Sequence, residues 1–301
     1  MANLREIKKR INSVSTTEQI TRTMEMVSTA KIARALSREK RSEPYRAAIT
    51  DVMLTVAGDA SVESPLLDNP ETYEGALIVA ISSDRGLAGG FNVQVERAVE
   101  KRIDHFRRHG AKDIELITCG RKVTEYFQHS ADVVMSVVGE SDNPTLERAR
   151  VIAQYIIDGF ESGKFGRVDI IYFHAKNRVE QVLREERILP LDPVALAAPR
   201  GPRTDDAGGP KRLTSPFEYA PSADHVLGEL IPSYVLTVVH QALIDSAAAE
   251  QGARRKAMHS ATENAKAIIS DLTRTYNRVR QASITTEINE IVGGAAALED
   301  Y

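Results

Sequence analysis

The chain has 301 residues, 42% of them hydrophobic and 27% charged, with a formal net charge of −3. That length can bury one large core or two ordinary ones, and the near-neutral balance lacks the basic excess of a general nucleic-acid binder. With no Trp and only seven Phe, aromatic platforms for stacking bases are scarce as well.

The N-terminal "MANLREIKKRINS" carries charges every few residues and no apolar core, so it does not read as a secretory signal. Apolar runs reach only about eight residues, well under the ~18 that span a bilayer. A soluble chain is expected, meeting a membrane only through partners and inserting nothing into the bilayer directly. The single cysteine, Cys119, excludes an internal disulfide and fits a reducing compartment. It reads as a small buried hydrophobe in a strand.

From Asn3 to about Ala57 there is no glycine and one proline. Leu4, Ile7, Ile11 and Val14 fall three, four and three apart, one helical stripe in coiled-coil rhythm. The stripe slips and resumes at Ile20, Met24 and Val27. Pro44 is expected to kink this helix without ending it. Its charged positions, Arg5, Lys8, Lys9 and Arg10 among them, read as a solvated face.

Residues 75–195 alternate short apolar runs with amphipathic segments. "GALIVAIS", "KDIELITCG" and "DVVMSVVG" predict strands, and "FNVQVERAVEKRIDHFRRHG" and "RKVTEYFQ" predict helices. "NPTLERARVIAQYIIDGFESG" predicts a further helix, with its proline in the first turn. "RVDIIYFHAKNRVEQVLREERILPL" reads as two strands joined near Lys176-Asn177. Such alternation indicates a mainly parallel sheet with helices packed on it. Residues 196–217 form a Pro/Gly-rich loop with no apolar periodicity.

Helix then returns. A short piece around Ser222–Leu230 precedes Pro232, and from there to about Leu298 no proline appears. Some 65 residues at ~1.5 Å each predict a rod of roughly 100 Å. Ile268, Leu272, Tyr276 and Val279 form one stripe; Ile284, Ile288, Ile291, Ala295 and Leu298 form another. A helix far longer than the usual three turns needs a second long helix to cover its stripe. The only candidate is the N-terminal one. The predicted class is therefore α/β, with a long antiparallel two-helix coiled coil from both termini. Residues 1–57 and 218–301 make that discontinuous shaft, and a Rossmann-like α/β domain over 75–195 is inserted between them.

Chemistry is sparse. "SSDRGLAGGFN", 82–92, joins a strand to a helix, but Gly86, Gly89 and Gly90 match neither G-x-G-x-x-G nor the lysine-bearing phosphate loop. They read as a structural turn at a sheet edge, with Asp84 or Ser83 satisfying its amides. Free N–H groups at the helix start leave weak anion binding open. His105 and His109 share a helix face, but Arg107 and Arg108 beside them would repel a metal ion. No catalytic residue, cofactor site or metal site is expected.

The C-terminal "IVGGAAAL" (Ile291, Val292, Gly293, Gly294, Ala295 and Leu298 within it) is uncharged and apolar all round, and a helix of that kind must be enclosed. Arg274, Arg278, Arg280 and Gln281 precede it as polar handles. The pattern suggests a rod end seated in an apolar sleeve.

"TRTMEMVSTAKI" (21–32), "SSDRGLAGGFN" (82–92) and "LTRTYNRVRQASITTEINEIVGGAAAL" (272–298) together resemble the γ subunit of F-type ATP synthases, of bacterial type, across essentially the whole chain. The resemblance implies a non-catalytic central rotor shaft that couples proton-driven rotation of the membrane c-ring to the conformational cycle of the catalytic β subunits. It implies as partners three α and three β subunits, ε and the c-ring, and a peripheral place on the cytoplasmic face of a bacterial cell membrane. By the same carry-over, Arg280, Gln281 and Thr285 meet the β catch loops, with Met24 on the facing helix near the same level. Residues 291–298 form the apolar bearing tip, and Glu218 and Tyr219 of "PFEYAP" contact the c-ring. Two other readings stay open: a free-standing nucleotide-binding α/β enzyme, and a homodimeric coiled-coil scaffold.

Overall fold

The structure is a computed structural model that describes residues 4–57, 73–177, 179–191 and 223–299; the loop at 196–217, Glu218 and Tyr219 lie outside the described residues. It has two compact units, Met1–Val27 with Arg255–Tyr301, and Ser28–Arg254. Two helices belong to both: α1 (Leu4–Ala57) and the last helix, α5 (Ala223–Glu299). Among the described residues no helix is long and apolar enough to cross a membrane.

Pro44 lies within α1 and Pro232 within α5. The expected break at Pro232 does not occur. A proline inside a helix costs about 3 kcal/mol, but Ile231, Tyr234 and Val235 around it are buried. Packing of that face supplies what the lost backbone hydrogen bond removes.

In the larger unit a five-stranded sheet has the order β3-β2-β1-β4-β5. The strands are β1 (Gly75–Ile81), β2 (Asp113–Cys119), β3 (Asp132–Val137), β4 (Arg167–Ala175) and β5 (Gln181–Leu189). The first three and β4 run parallel, and β5 pairs antiparallel with β4. All seven residues of β1 are buried, as a central strand covered on both faces requires. Alternation sorts its side chains. Leu77, Val79 and Ile81 join Ile152 and Ile156 of α4 (Leu146–Glu161) and Val235 and Val239 of α5. Ala76, Ile78 and Ala80 join Val95, Val99 and Phe106 of α2 (Phe91–Arg108), with Ala35 of α1 and Ala248 of α5. Each large side chain so enclosed contributes about 1.5–3 kcal/mol over exposure.

The crossovers run through α2 and α3 (Arg121–Phe127) outward to β3, then through α4 back across to β4. β1 is therefore where the strand order reverses. Thr145 caps α4, its Oγ1 accepting from Arg148 N at 3.4 Å. Pro144 stands before that cap rather than in the first turn. Between β4 and β5 the Asn177 side chain accepts from Val179 N and Glu180 N, both at 2.8 Å, closing the hairpin where the sequence placed it.

In the smaller unit α1 and α5 run antiparallel. The Thr21 and Thr262 hydroxyls meet at 2.8 Å, and Glu25 bonds His259 Nδ1 at 3.1 Å. The inward stripe of α1 does not slip. Its three-four rhythm continues from Leu4, Ile7, Ile11 and Val14 through Glu18, Thr21, Glu25 and Ser28, while Ile20 and Val27 are about half exposed. On α5 the inward residue is Ile269, and Ile268 is 49% exposed. Polar side chains that satisfy one another across the seam hold the register, so apolar residues one position away turn outward.

Candidate functional surfaces

The turn after β1 is built from its polar side chains as much as from its glycines. Asn92 Oδ1 accepts from Ser83 N at 3.1 Å and lies 2.8 Å from Ser83 Oγ, tying strand end to helix start. Asp84 accepts from Gly139 N at 2.9 Å and from Arg121 N and Ser141 N at 3.0 Å. Burial would push its carboxyl up, but these backbone amides outweigh it and hold it below the usual range. The amides Asp84 satisfies thus belong to the turns after β2 and β3, not to its own. Of the three glycines only Gly89 has positive φ, at 61°, as does Leu87 two residues before it, at 65°. A methyl group on Gly86 would meet nothing within 4 Å, and Gly90 serves as the cap residue of α2 without a side-chain bond. Nor is the turn at a sheet edge: it leaves the central strand.

In doubly wound sheets the crevice beyond the strand ends, at the reversal point, is where ligands bind. Here Leu243, Ser246, Ala247 and Glu250 of α5 cover Ile81, Ser82, Cys119 and Gly120 at that end. The cavity lined there, at the β1 and β2 ends, is about 20 Å³, room for roughly one water molecule and too small for a nucleotide. On the β4 side α5 also closes on the strand ends, Asp245 bonding Ala175 N, and Arg254 reaches the carbonyls of Arg85 and Gly86. Cys119 is buried in the cavity wall, and burial first, with Asp84 and Glu140 adding, pushes its thiol up to about 12. It is inert, as a small buried hydrophobe.

Among the described residues one set offers cation-ligand chemistry: Glu39 of α1, His174 of β4 and Asp245 of α5, with donor atoms within 4.8 Å of one another. Asp245 is already bonded to His174 Nδ1 and to Ala175 N, so hydrogen bonding accounts for its place. Burial first, then the Asp245 carboxylate and more weakly Glu43, raise Glu39 from 4.5 to about 7, with His174 and Arg46 opposing. The folded chain therefore holds a proton that the unfolded chain has released. This contribution is fully present below the unfolded value and is lost as pH rises through about 7. Melting temperature should fall over that window in the wild-type chain, and Glu39→Gln should flatten the slope. An unchanged slope in the variant would assign the titration elsewhere.

In the smaller unit Arg280, Gln281 and Thr285 are exposed on α5, the Thr285 hydroxyl donating back to Gln281 O at 2.9 Å. Met24 is half-buried on α1. It is not level with them. The Thr21–Thr262 pair sets Met24 opposite position 259, about twenty residues and hence roughly 30 Å from Arg280. The same register brings Leu4 opposite position 279, so α5 runs on beyond the described start of α1. There Ile284 and Ile288 are exposed, and Ile291 and Val292 are 71% and 62% exposed. Gly293, Gly294 and Ala295 are exposed too, and the Leu298 side chain lies outside the described ones. Among the described residues, none covers this apolar helix end.

A family model described as ATP synthase matches residues 3–298. The chain belongs to this family, as a γ subunit. Three solved structures are similar to it. The Tetrahymena thermophila mitochondrial ATP synthase central stalk and c-ring structure holds a chain with 22% identity and TM-score 0.57, over 80% of this chain and 99% of that one. A chain of the Euglena gracilis mitochondrial ATP synthase rotor, in rotational state 1, gives 17% and 0.58, over 93% and 98%. A chain of the Euglena gracilis OSCP/F1/c-ring structure, in rotational state 3, gives 18% and 0.63, over 98% and 94%. These likenesses agree on the fold of the γ chain: two long helices and an α/β unit with a five-stranded sheet. The motifs at 21–32, 82–92 and 272–298 are legible because each is contiguous. The burial of 241–252 on every side carries no such signal, for those residues alternate small, apolar and polar types without a single face.

Proposed function

We infer that this γ chain is the central rotor shaft of an ATP synthase, turning with the c-ring and biasing the conformations of the catalytic β subunits. The observation that carries the reading is the end of α5 that no described residue covers, where Ile284, Ile288, Ile291 and Val292 are exposed on one helix. Such a surface requires enclosure by other chains, and a rotor seated in the α and β subunits supplies it. The chain has no threefold symmetry, so three equivalent β subunits around it would meet three different faces. Each face favours a different β conformation by contacts that differ between states, and rotation permutes them. The γ chain performs no bond chemistry in this scheme. Arg280, Gln281 and Thr285 are the contacts to the β catch loops, followed by the apolar tip at Ile291–Leu298. Met24 meets the surrounding ring at a separate level. Glu218 and Tyr219 contact the c-ring, ε binds beside them, and the whole is peripheral on the cytoplasmic face of a bacterial membrane.

Against the nucleotide-enzyme alternative stands the course of α5, which lies across the strand ends where that reading needs its ligand. The test is affinity capture of a tagged chain from detergent-solubilised host membranes, with native mass and Mg-ATP hydrolysis measured on the product. Three α and three β chains per γ, with hydrolysis absent from the γ chain alone, is the expected result. A lone chain or a γ homodimer would overturn it.

A further inference from the structure

The segment Gln241–Gly252 of α5 is buried on every side, yet it is not apolar. Gln241, Asp245, Ser246, Glu250 and Gln251, with Arg254 just beyond, are all under a tenth exposed. Their partners come from four directions. Gln241 Oε1 accepts from Ser42 Oγ of α1 at 2.7 Å. Asp245 takes Ala175 N and His174 at the end of β4. Gln251 Nε2 donates at 2.6 Å to Asp142, in the turn after β3, and Lys31 of α1 pairs with the same carboxylate at 2.7 Å. Arg254 bonds Glu250 at 2.7 Å and reaches the carbonyls of Arg85 and Gly86, in the turn after β1, at 3.4 and 3.3 Å.

At about 100° per residue, Gln241 and Asp245 lie on one side of the helix and Glu250 and Arg254 on the opposite side. Gln251 projects about a quarter-turn from the first pair. Hydrophobic burial is non-directional; it holds a helix in a socket without fixing its angle about its own axis. Hydrogen bonds weaken steeply when misaligned, so bonds on opposing sides resist rotation of the helix in either sense.

We propose that Gln241, Asp245, Gln251 and Arg254 lock α5 azimuthally in its α/β socket, and that this lock passes torque between the sheet unit and the shaft. The proposal rests on the rotor reading. Torque entering through the α/β unit reaches the β contacts along α1 and α5, and a helix that turned in its socket would dissipate it. An ordinary stabilising role would not require bonds on opposite sides of one helix.

The test replaces direction and keeps burial. Gln241→Leu/Gln251→Leu leaves Ser42 bonded to Glu39 O and Asp142 paired with Lys31, so no partner is orphaned. The assembled complex carrying this chain, in inverted membrane vesicles, is assayed for ATP hydrolysis and ATP-driven proton pumping. Pumping per ATP should fall about fivefold, the loss of two buried bonds acting in one network, while hydrolysis persists. A merely structural role would lower the amount of complex and leave that ratio unchanged. Ser42→Cys/Gln241→Cys, bridged by a short bismaleimide in a Gln251→Leu chain, should restore the ratio. An unchanged ratio in the assembled double variant overturns the proposal. Should the double variant not assemble, Gln251→Leu alone is read in the same way, and an unchanged ratio there overturns it too. Failure of the wild-type chain to join an ATP-hydrolysing complex would instead remove the rotor reading itself.

Discussion

Arg254→Met is expected to destabilise the chain by about 3–5 kcal/mol at pH 8, the usual cost of stripping one partner from a buried ion pair. Glu250 is 2% exposed and Arg254 7%. Burial raises the Glu250 carboxyl, and the arginine pulls it back. Without the arginine the folded chain must bury a charge or take up a proton. Taking the proton relieves part of the loss, so the variant's deficit should shrink as pH falls toward 5. Arg254→Met/Glu250→Gln should recover part of it at pH 8 by removing the charge outright. Urea unfolding of the three chains at both pH values checks this. A deficit under about 1 kcal/mol at pH 8, the range of a solvated surface pair, would show the pair to be solvated rather than buried.

Arg280→Ala/Gln281→Ala should act in the opposite manner, leaving the chain's own stability nearly untouched and lowering coupled ATP synthesis about tenfold or more. Both residues are exposed in the isolated chain. Surface substitutions away from caps, cores and networks usually stay within about 0.5 kcal/mol. Desolvated arginines at an interface commonly cost 2 kcal/mol or more when truncated, about thirtyfold in an equilibrium. The proposed catch-loop contact therefore predicts a function-only defect. Unfolding curves and synthesis rates in reconstituted vesicles measure the two quantities separately. Undiminished synthesis in fully assembled complex would remove both residues from the interface with β.

The elements that rest on local pattern can be read directly. Seven consecutive apolar residues in β1, the helical periods of α2 and α4, and the Lys176-Asn177 hairpin follow from propensity and side-chain alternation, and the structure places all of them. Phase is harder. Ile20 and Val27 fit a helical stripe as well as Thr21 and Ser28 do, and Ile268 as well as Ile269. A window of apolar residues gives the period but not which neighbouring phase turns inward. Thr21 and Thr262 decide that, and they are 241 positions apart. The misplaced level of Met24 has the same origin, since antiparallel register is a property of two helices together. Pro232 reads as a break because its cost is local, whereas the packing that offsets it comes from residues distant in sequence.

The amino-acid sequence by itself determined the two terminal helices, the alternation of strands and helices between them, the absence of a phosphate loop and the family to which three contiguous motifs belong. Those features depend on side chains within a few positions of one another. Only the tertiary structure decided that the turn after β1 leaves the centre of the sheet, that α5 lies across the strand ends, and that its buried polar residues grip four other segments. Each of these sets residues far apart in the chain against one another. Their energies arise from desolvation and hydrogen-bond geometry, which exist only once the chain has closed.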